Sequence, residues 1–225
     1  MSFDIVLGIK RSAHRNGGTD AEFERIKKSI LARDNYQCQA AGCRFRAKQY
    51  LHVHHIDDDH TNNNPKNLIT LCPLCHHHLH IGYVGSKCPD AKVVYWPDVS
   101  SSRFSAILKA AWMVETVTMN VPGVPRHVTN AIRAELKEQA KSLLTNVIPQ
   151  LSDVAEQMLG TSSVAELAVE MAALPDKAYQ KLRARLRGFH IAPPRHLYSK
   201  ELGAWTATRL DKSIFNVLDI SSLQA

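Results

Sequence analysis

The sequence predicts an α+β protein: a Cys- and His-rich module of short strands and helices over residues 21–98, then an all-helical region over residues 99–225. Three observations predict it. Eight of the twelve histidines and four of the five cysteines fall between Cys38 and His80. Short β-like runs, Tyr50 to Ile56, Leu68 to Leu71 and Lys92 to Trp96, lie in and just after that stretch. From Ser101 onward apolar residues recur at helical spacing, with Gly and Pro between the runs.

Residues 1–20 read as an N-terminal arm. Phe3 to Ile9 suits a short strand, and Gly17-Gly18 supplies a hinge. Asp4 inside that apolar run, with no cleavage-like site after it, argues against a secretory signal. Thr19-Asp20-Ala21-Glu22 fits a capping box, with Thr19 as N-cap and Glu22 reaching back. Phe23, Ile26 and Ile30 then recur at helical spacing, which predicts an amphipathic helix over 20–33.

Two strands follow, 50–56 and 68–71, joined by the Asp- and Asn-rich loop Asp57 to Lys66, whose composition is that of a turn. Pro73 suits the first position of a helix, predicted over 73–81. Pro97 stops the strand at Lys92 to Trp96. Beyond it, Phe104, Leu108, Ala111 and Trp112 form one stripe. Val128, Ile132, Leu136, Leu143 and Val147 form another, ended by Pro149. Shorter helices are expected at 152–159, 162–173, 176–187, 199–210 and 213–219, with Gly160, Pro175, Gly188 and Pro193-Pro194 as breaks.

The formal net charge of +7 favours polyanionic partners such as nucleic acid or anionic lipid, but many proteins carry such charge for solubility. No apolar run approaches the roughly 18 residues of a transmembrane helix, so no membrane insertion is expected. A cytoplasmic location follows as the expectation, where clustered cysteines read as metal ligands more than as disulfides. Cys38-x4-Cys43 and Cys72-x2-Cys75 then have the spacing of one structural Zn²⁺ site; the alternative is four buried, unliganded thiols. Cys88 is left over as a free thiol.

His54 and His55 end a strand, where neighbours point to opposite faces, so they share one site only if the strand end opens. His76 and His80 are spaced i, i+4 and can reach one ion. His77 and His78 are expected on a solvated helix face. Asp57, Asp58 and Asp59 read as a solvated loop; the alternative is that they help to hold a hard cation.

His54-His55, Asn67-Leu68, Leu71-Cys72-Pro73-Leu74-Cys75-His76 and His80, in this order, resemble the HNH nuclease motif, the ββα-metal fold with a four-Cys zinc site. The resemblance covers about 60 residues. It implies that His55 is the general base activating water and that Asn67 holds the base-bearing loop through a backbone hydrogen bond. It gives His54, His76 and His80 a second divalent metal, Mg²⁺, Mn²⁺ or Zn²⁺, and makes DNA the substrate. A broader resemblance rests on Leu31-Ala32-Arg33-Asp34-Asn35-Tyr36-Gln37-Cys38, Thr61-Asn62-Asn63-Asn64, Tyr95-Trp96-Pro97 and the helical C-terminal half. These are similar to the IcmJ/DotN family of type IVB secretion and conjugation systems. That resemblance implies a non-catalytic adaptor bound to the coupling ATPase, at the inner face of the membrane through a secretion complex. Members of that family can lose the catalytic histidines, whereas this chain has all of them.

Overall fold

In the computed structural model, residues 3–10, 21–43, 45–116 and 126–207 are described. The capping box at Thr19 and the helix expected over 213–219 lie outside them. The fold is α+β, and the described residues hold two separate two-stranded antiparallel sheets among helices.

Helix α1 spans Ala21–Arg33. Strands β1 (His52–His55) and β2 (Leu68–Leu71) pair antiparallel, His52 opposite Leu71 and His55 opposite Leu68. Helix α2 (Pro73–Leu79) starts one residue beyond Cys72, with Pro73 in its first turn. It stops at His80, whose φ of −133° is not helical, and α3 (Ile81–Lys87) restarts beyond it. The continuous helix expected over 73–81 is thus two short ones. The connecting loop is knitted by its own polar side chains. Asp57 accepts from Asn62 Nδ2 at 2.7 Å and Asn67 Nδ2 at 2.8 Å, and Asp59 Oδ1 accepts from Thr61.

Strand β3 (Lys92–Tyr95) pairs with β4 (Phe189–Ala192), Val93 opposite Ile191. The region after residue 99 is therefore not all-helical. Four residues are too few to show a period, and they are framed by Gly188 and Pro193, which read as breaks. Gly188 has φ +85°, and a Cβ there would lie 2.9 Å from Pro97 Cα, so the turn into β4 needs glycine. The segment at 3–9 makes one isolated bridge, Phe3 with Ala40, in place of a strand. It is nonetheless part of the interior: Ile5, Leu7 and Ile9 are buried, and Gly8 exchanges backbone hydrogen bonds with His78 and Ile81.

Helix α4 (Ser101–Thr116) buries Phe104, Leu108, Ala111 and Trp112, the stripe read from the sequence. Helix α5 (Arg126–Ser142) does not stop before Pro149. It runs through a π turn, Leu143–Val147, into α6 (Ile148–Leu159) as one rod. The Ile148 N–H reaches back five residues to the Leu143 carbonyl. A proline ring ordinarily collides with the carbonyl of residue i−4, here that of Thr145. The widened turn lies where that collision would arise. Buried positions along the rod are Leu136, Ala140 and Leu143, then Ile148, Ser152 and Ala155.

Helices α7 (Val164–Ala173), α8 (Asp176–Arg185) and α9 (Ser199–Ala207) are the remaining helices among the described residues. Ser163 caps α7, its Oγ accepting from Glu166 N. At Gly85, α3 meets α7 so closely that a Cβ would lie 2.6 Å from Ala165 Cα. The described residues form two cores. One joins the cysteines, α2, α4, α5 and Tyr198; the other joins α3, β3, α7, Leu186 and Ile191. Among the described residues no helix is long and apolar enough to cross a membrane.

Candidate metal centres

Two segments deliver the four cysteines. The loop after α1 turns back at Gly42, with Cys38 N–H donating to Phe45 O at 2.7 Å and Cys43 N–H to Ala40 O. Cys72 closes β2 and Cys75 lies in the first turn of α2. All four are buried, and their sulfurs lie within 4.8 Å of one another. Cys43 Sγ and Cys72 Sγ are 3.8 Å apart. A tetrahedral zinc with Zn–S of about 2.3 Å has an edge of about 3.8 Å. The donor set therefore fits Zn²⁺.

Sequence reasoning missed Lys109. It lies on α4, 3% exposed, with Nζ 3.1 Å from Cys72 Sγ, 3.4 Å from Cys43 Sγ and 4.1 Å from the Phe45 ring centre. Burial lowers the pKa of a lysine, but the surrounding cysteines raise this one further, and the net direction is up. A buried ammonium needs an anionic partner, and a zinc tetrathiolate of net charge −2 provides one. The signal available in sequence was a lone lysine inside an apolar helix stripe. The Ser102 hydroxyl donates to the Ala41 carbonyl and ties the same helix to the cysteine loop.

The histidines divide as the strand period dictates. His52 and His54 point to one face of β1, and His55 to the other. His54, His76 and His80 each offer a ring nitrogen within 4.8 Å of the other two. His54 Nδ1 stands 3.3 Å from His80 Nε2, and the His76 and His80 rings are 4.4 Å apart between centres. His55 is not with them. It is 3% exposed, stacked between Phe23 and His60, with Nε2 3.1 Å from Asn63 Oδ1. Asn67 braces the loop: its carbonyl accepts from Ile56 N–H at 2.8 Å, and its Oδ1 from Asp57 N–H at 3.1 Å.

His77 and His78 correct the expectation of a solvated face. Both are buried, because α2 packs on β1, α3 and α4 at once. His77 Nδ1 is 2.7 Å from the Tyr198 hydroxyl. His78 Nδ1 lies 2.8 Å from Leu74 O, and His78 Nε2 accepts from Ile191 N–H at 3.3 Å. His52, which the sequence reading assigned no role, stands with Nδ1 2.9 Å from His76 Nδ1. Burial first, then neighbouring imidazoles, pushes His54 and His77 down to about 3 and His76 well below 6.5. Burial likewise lowers His52 and His80. All five are neutral lone-pair donors at pH 7.

Two clefts reach this cluster. One, about 500 Å³, is lined by His52, His77, His80, Tyr83 and Ala168. The other, about 360 Å³, is lined by His54, Asp57, Asp58, Asp59, Asp176 and Arg183 among others. Carboxylates outnumber cations in the second cleft, so its field opposes an approaching phosphate.

No family model matches the chain. The chain is 24% identical over 199 residues, spanning 86% of its own length and 83% of the other's, to the type 4 apparatus protein DotN of Legionella pneumophila subsp. pneumophila (strain Philadelphia 1).

Proposed function

We propose that this chain is a component of a type IV secretion or conjugation apparatus, a zinc-organised adaptor that binds the coupling ATPase. The observation that carries this reading is the similarity to DotN along most of both chains. The site geometry agrees with it. The histidine that would act as general base is closed in by Phe23 and His60, and the cleft beside His54 carries four carboxylates. The experiment is co-expression with the coupling ATPase of the same organism, followed by size-exclusion chromatography. A stable complex that needs no nucleic acid is expected. Separate elution of two folded proteins would sink the adaptor role.

One observation favours a second reading, metal-dependent phosphodiester hydrolysis: the convergence of ring nitrogens from His54, His76 and His80. A bound Mg²⁺, Mn²⁺ or Zn²⁺ would supply charge stabilisation at the scissile phosphate. For His55 to take a proton from water, His60 would have to swing aside. Plasmid nicking across these ions tests it; activity lost in His55→Ala, with folding intact, would support the enzyme over the adaptor.

A further inference from the structure

His76 stands between two sets of imidazoles, and only one was legible from motif spacing. We propose that His52, His76 and His77 form a separate seat for a borderline divalent ion such as Zn²⁺, Ni²⁺ or Cu²⁺, entered through the cleft beside Tyr83. The seat stands apart from the secretion role and does not depend on it.

One ring nitrogen from each of the three lies within 4.8 Å of the others. His52 Nδ1 and His76 Nδ1 are 2.9 Å apart, a contact that requires one proton shared between two lone pairs. A metal ion in place of that proton needs the pair to open only to about 3.3 Å, the edge of a tetrahedron with bonds of about 2.0 Å. The third ligand has an outer partner. Tyr198 is fully buried, stacked on Trp112, and its hydroxyl faces His77 Nδ1 at 2.7 Å. When that hydroxyl accepts Nδ1–H, the His77 lone pair sits on Nε2. This is how an outer partner fixes the tautomer of a ligating histidine.

The chemistry of the two seats differs. The His52 side offers imidazole nitrogens and no carboxylate: His52, His77 and His80 line its cleft together with Tyr83 and Lys10. Imidazole-only sets suit Zn²⁺, Ni²⁺ and Cu²⁺ and give little to Mg²⁺ or Ca²⁺. The His54 side has Asp57, Asp58 and Asp59 at its mouth, oxygen donors for a hard cation. Both seats draw on His76. A neutral imidazole binds one metal through one nitrogen and keeps a proton on the other. An ion on the His52 side therefore removes His76 from the His54–His80 pair.

The test is calorimetric titration of the folded, structural-zinc-loaded protein with Ni²⁺, with Mg²⁺ as control. Wild type is expected to bind one Ni²⁺ and no Mg²⁺ at the same concentrations. His52→Ala is expected to weaken Ni²⁺ binding at least about tenfold, and Tyr198→Phe, which keeps the ring and removes the hydroxyl, by about 10–100-fold. His54→Ala is expected to leave it unchanged. Far-UV circular dichroism and zinc content check that each variant is folded. Absence of Ni²⁺ binding in wild type overturns the proposal. So does loss in His54→Ala with full binding in His52→Ala and Tyr198→Phe, which would place the ion on the other side of His76.

Discussion

His78 on α2 and Ile191 on β4 are joined by a hydrogen bond across 113 residues, the buried imidazole Nε2 accepting the strand's N–H at 3.3 Å while Nδ1 donates to Leu74 O at 2.8 Å. One side chain thus fastens the second sheet to the helix that carries Cys75 and two of the candidate ligands, His76 and His77. His78→Ala would leave the Ile191 N–H and Leu74 carbonyl without this partner and open a cavity. Destabilisation of about 3 kcal/mol is expected. Urea unfolding checks it, and a midpoint shift equivalent to less than about 1 kcal/mol would count against the role.

Purified protein is expected to hold one Zn²⁺ per chain on Cys38, Cys43, Cys72 and Cys75. Because the ligands come from two segments, binding is coupled to folding. Cys72→Ser is expected to lose the ion and to unfold the module, whereas Cys88→Ser keeps one equivalent. Elemental analysis of folded protein decides it; traces only would refute the assignment.

Lys109→Met keeps the length of the side chain and removes the charge 3.1 Å from Cys72 Sγ. The cluster would then hold an uncompensated net charge of −2 in the interior. Faster zinc transfer to a chromogenic chelator and a lower melting temperature are expected, with Lys109→Arg intermediate. Equal release rates in Lys109→Met and wild type would show that the ammonium only fills space.

His190 gives the pH dependence a sign. It is 1% exposed, beside Ser101 Oγ and Trp96 O, and burial pushes it down to about 4 against backbone hydrogen bonds that raise it. The unfolded chain takes up a proton near pH 6.5, and the folded chain does not until near 4. Stability is thus full above about 6.5 and falls with pH through that window, by up to about 1.4 kcal/mol per pH unit from this group. Denaturation midpoints at pH 7, 6 and 5 should decline in order, with a flatter profile in His190→Gln.

Lys177, Lys181 and Arg185 recur along the exposed side of α8, while Tyr179 and Leu186 are buried and Leu182 half-buried. Together the three form one basic stripe. Arg187 is engaged with Asp4 at 3.1 Å. Charge reversal of the three stripe residues to Glu is expected to weaken capture of the coupling ATPase at low salt and to leave the melting temperature within a few degrees. Unchanged capture would reduce the stripe to a solubilising face.

What was legible in the sequence was what depends on local spacing. Cys-x2-Cys, the i, i+4 pair His76 and His80, and the α4 stripe report constraints only a few residues wide. His52 carries the same kind of local signal, since residues two apart on a strand share a face and His52 lies two before His54. His77 and His78 were misread for a tertiary reason. A seven-residue helix has a polar face only if something leaves one open, and β1, α3, α4 and β4 do not. Strand β4 shows no period in four residues, and Lys109 gains meaning only from cysteines over 30 residues away.

The π turn before Pro149 makes the rod asymmetric toward length change. Leu136, Ala140 and Leu143 set a heptad-like beat, and Ile148, Ser152 and Ala155 resume it one residue late. The turn absorbs a single surplus residue, in the way a leap day keeps a calendar aligned. Deleting exposed Thr145 should therefore keep both cores in phase but return Pro149 to regular α-helix, where its ring meets the i−4 carbonyl at a cost of about 3 kcal/mol. Adding one alanine there should rotate everything downstream by about 100° and turn Ala155 away from β3.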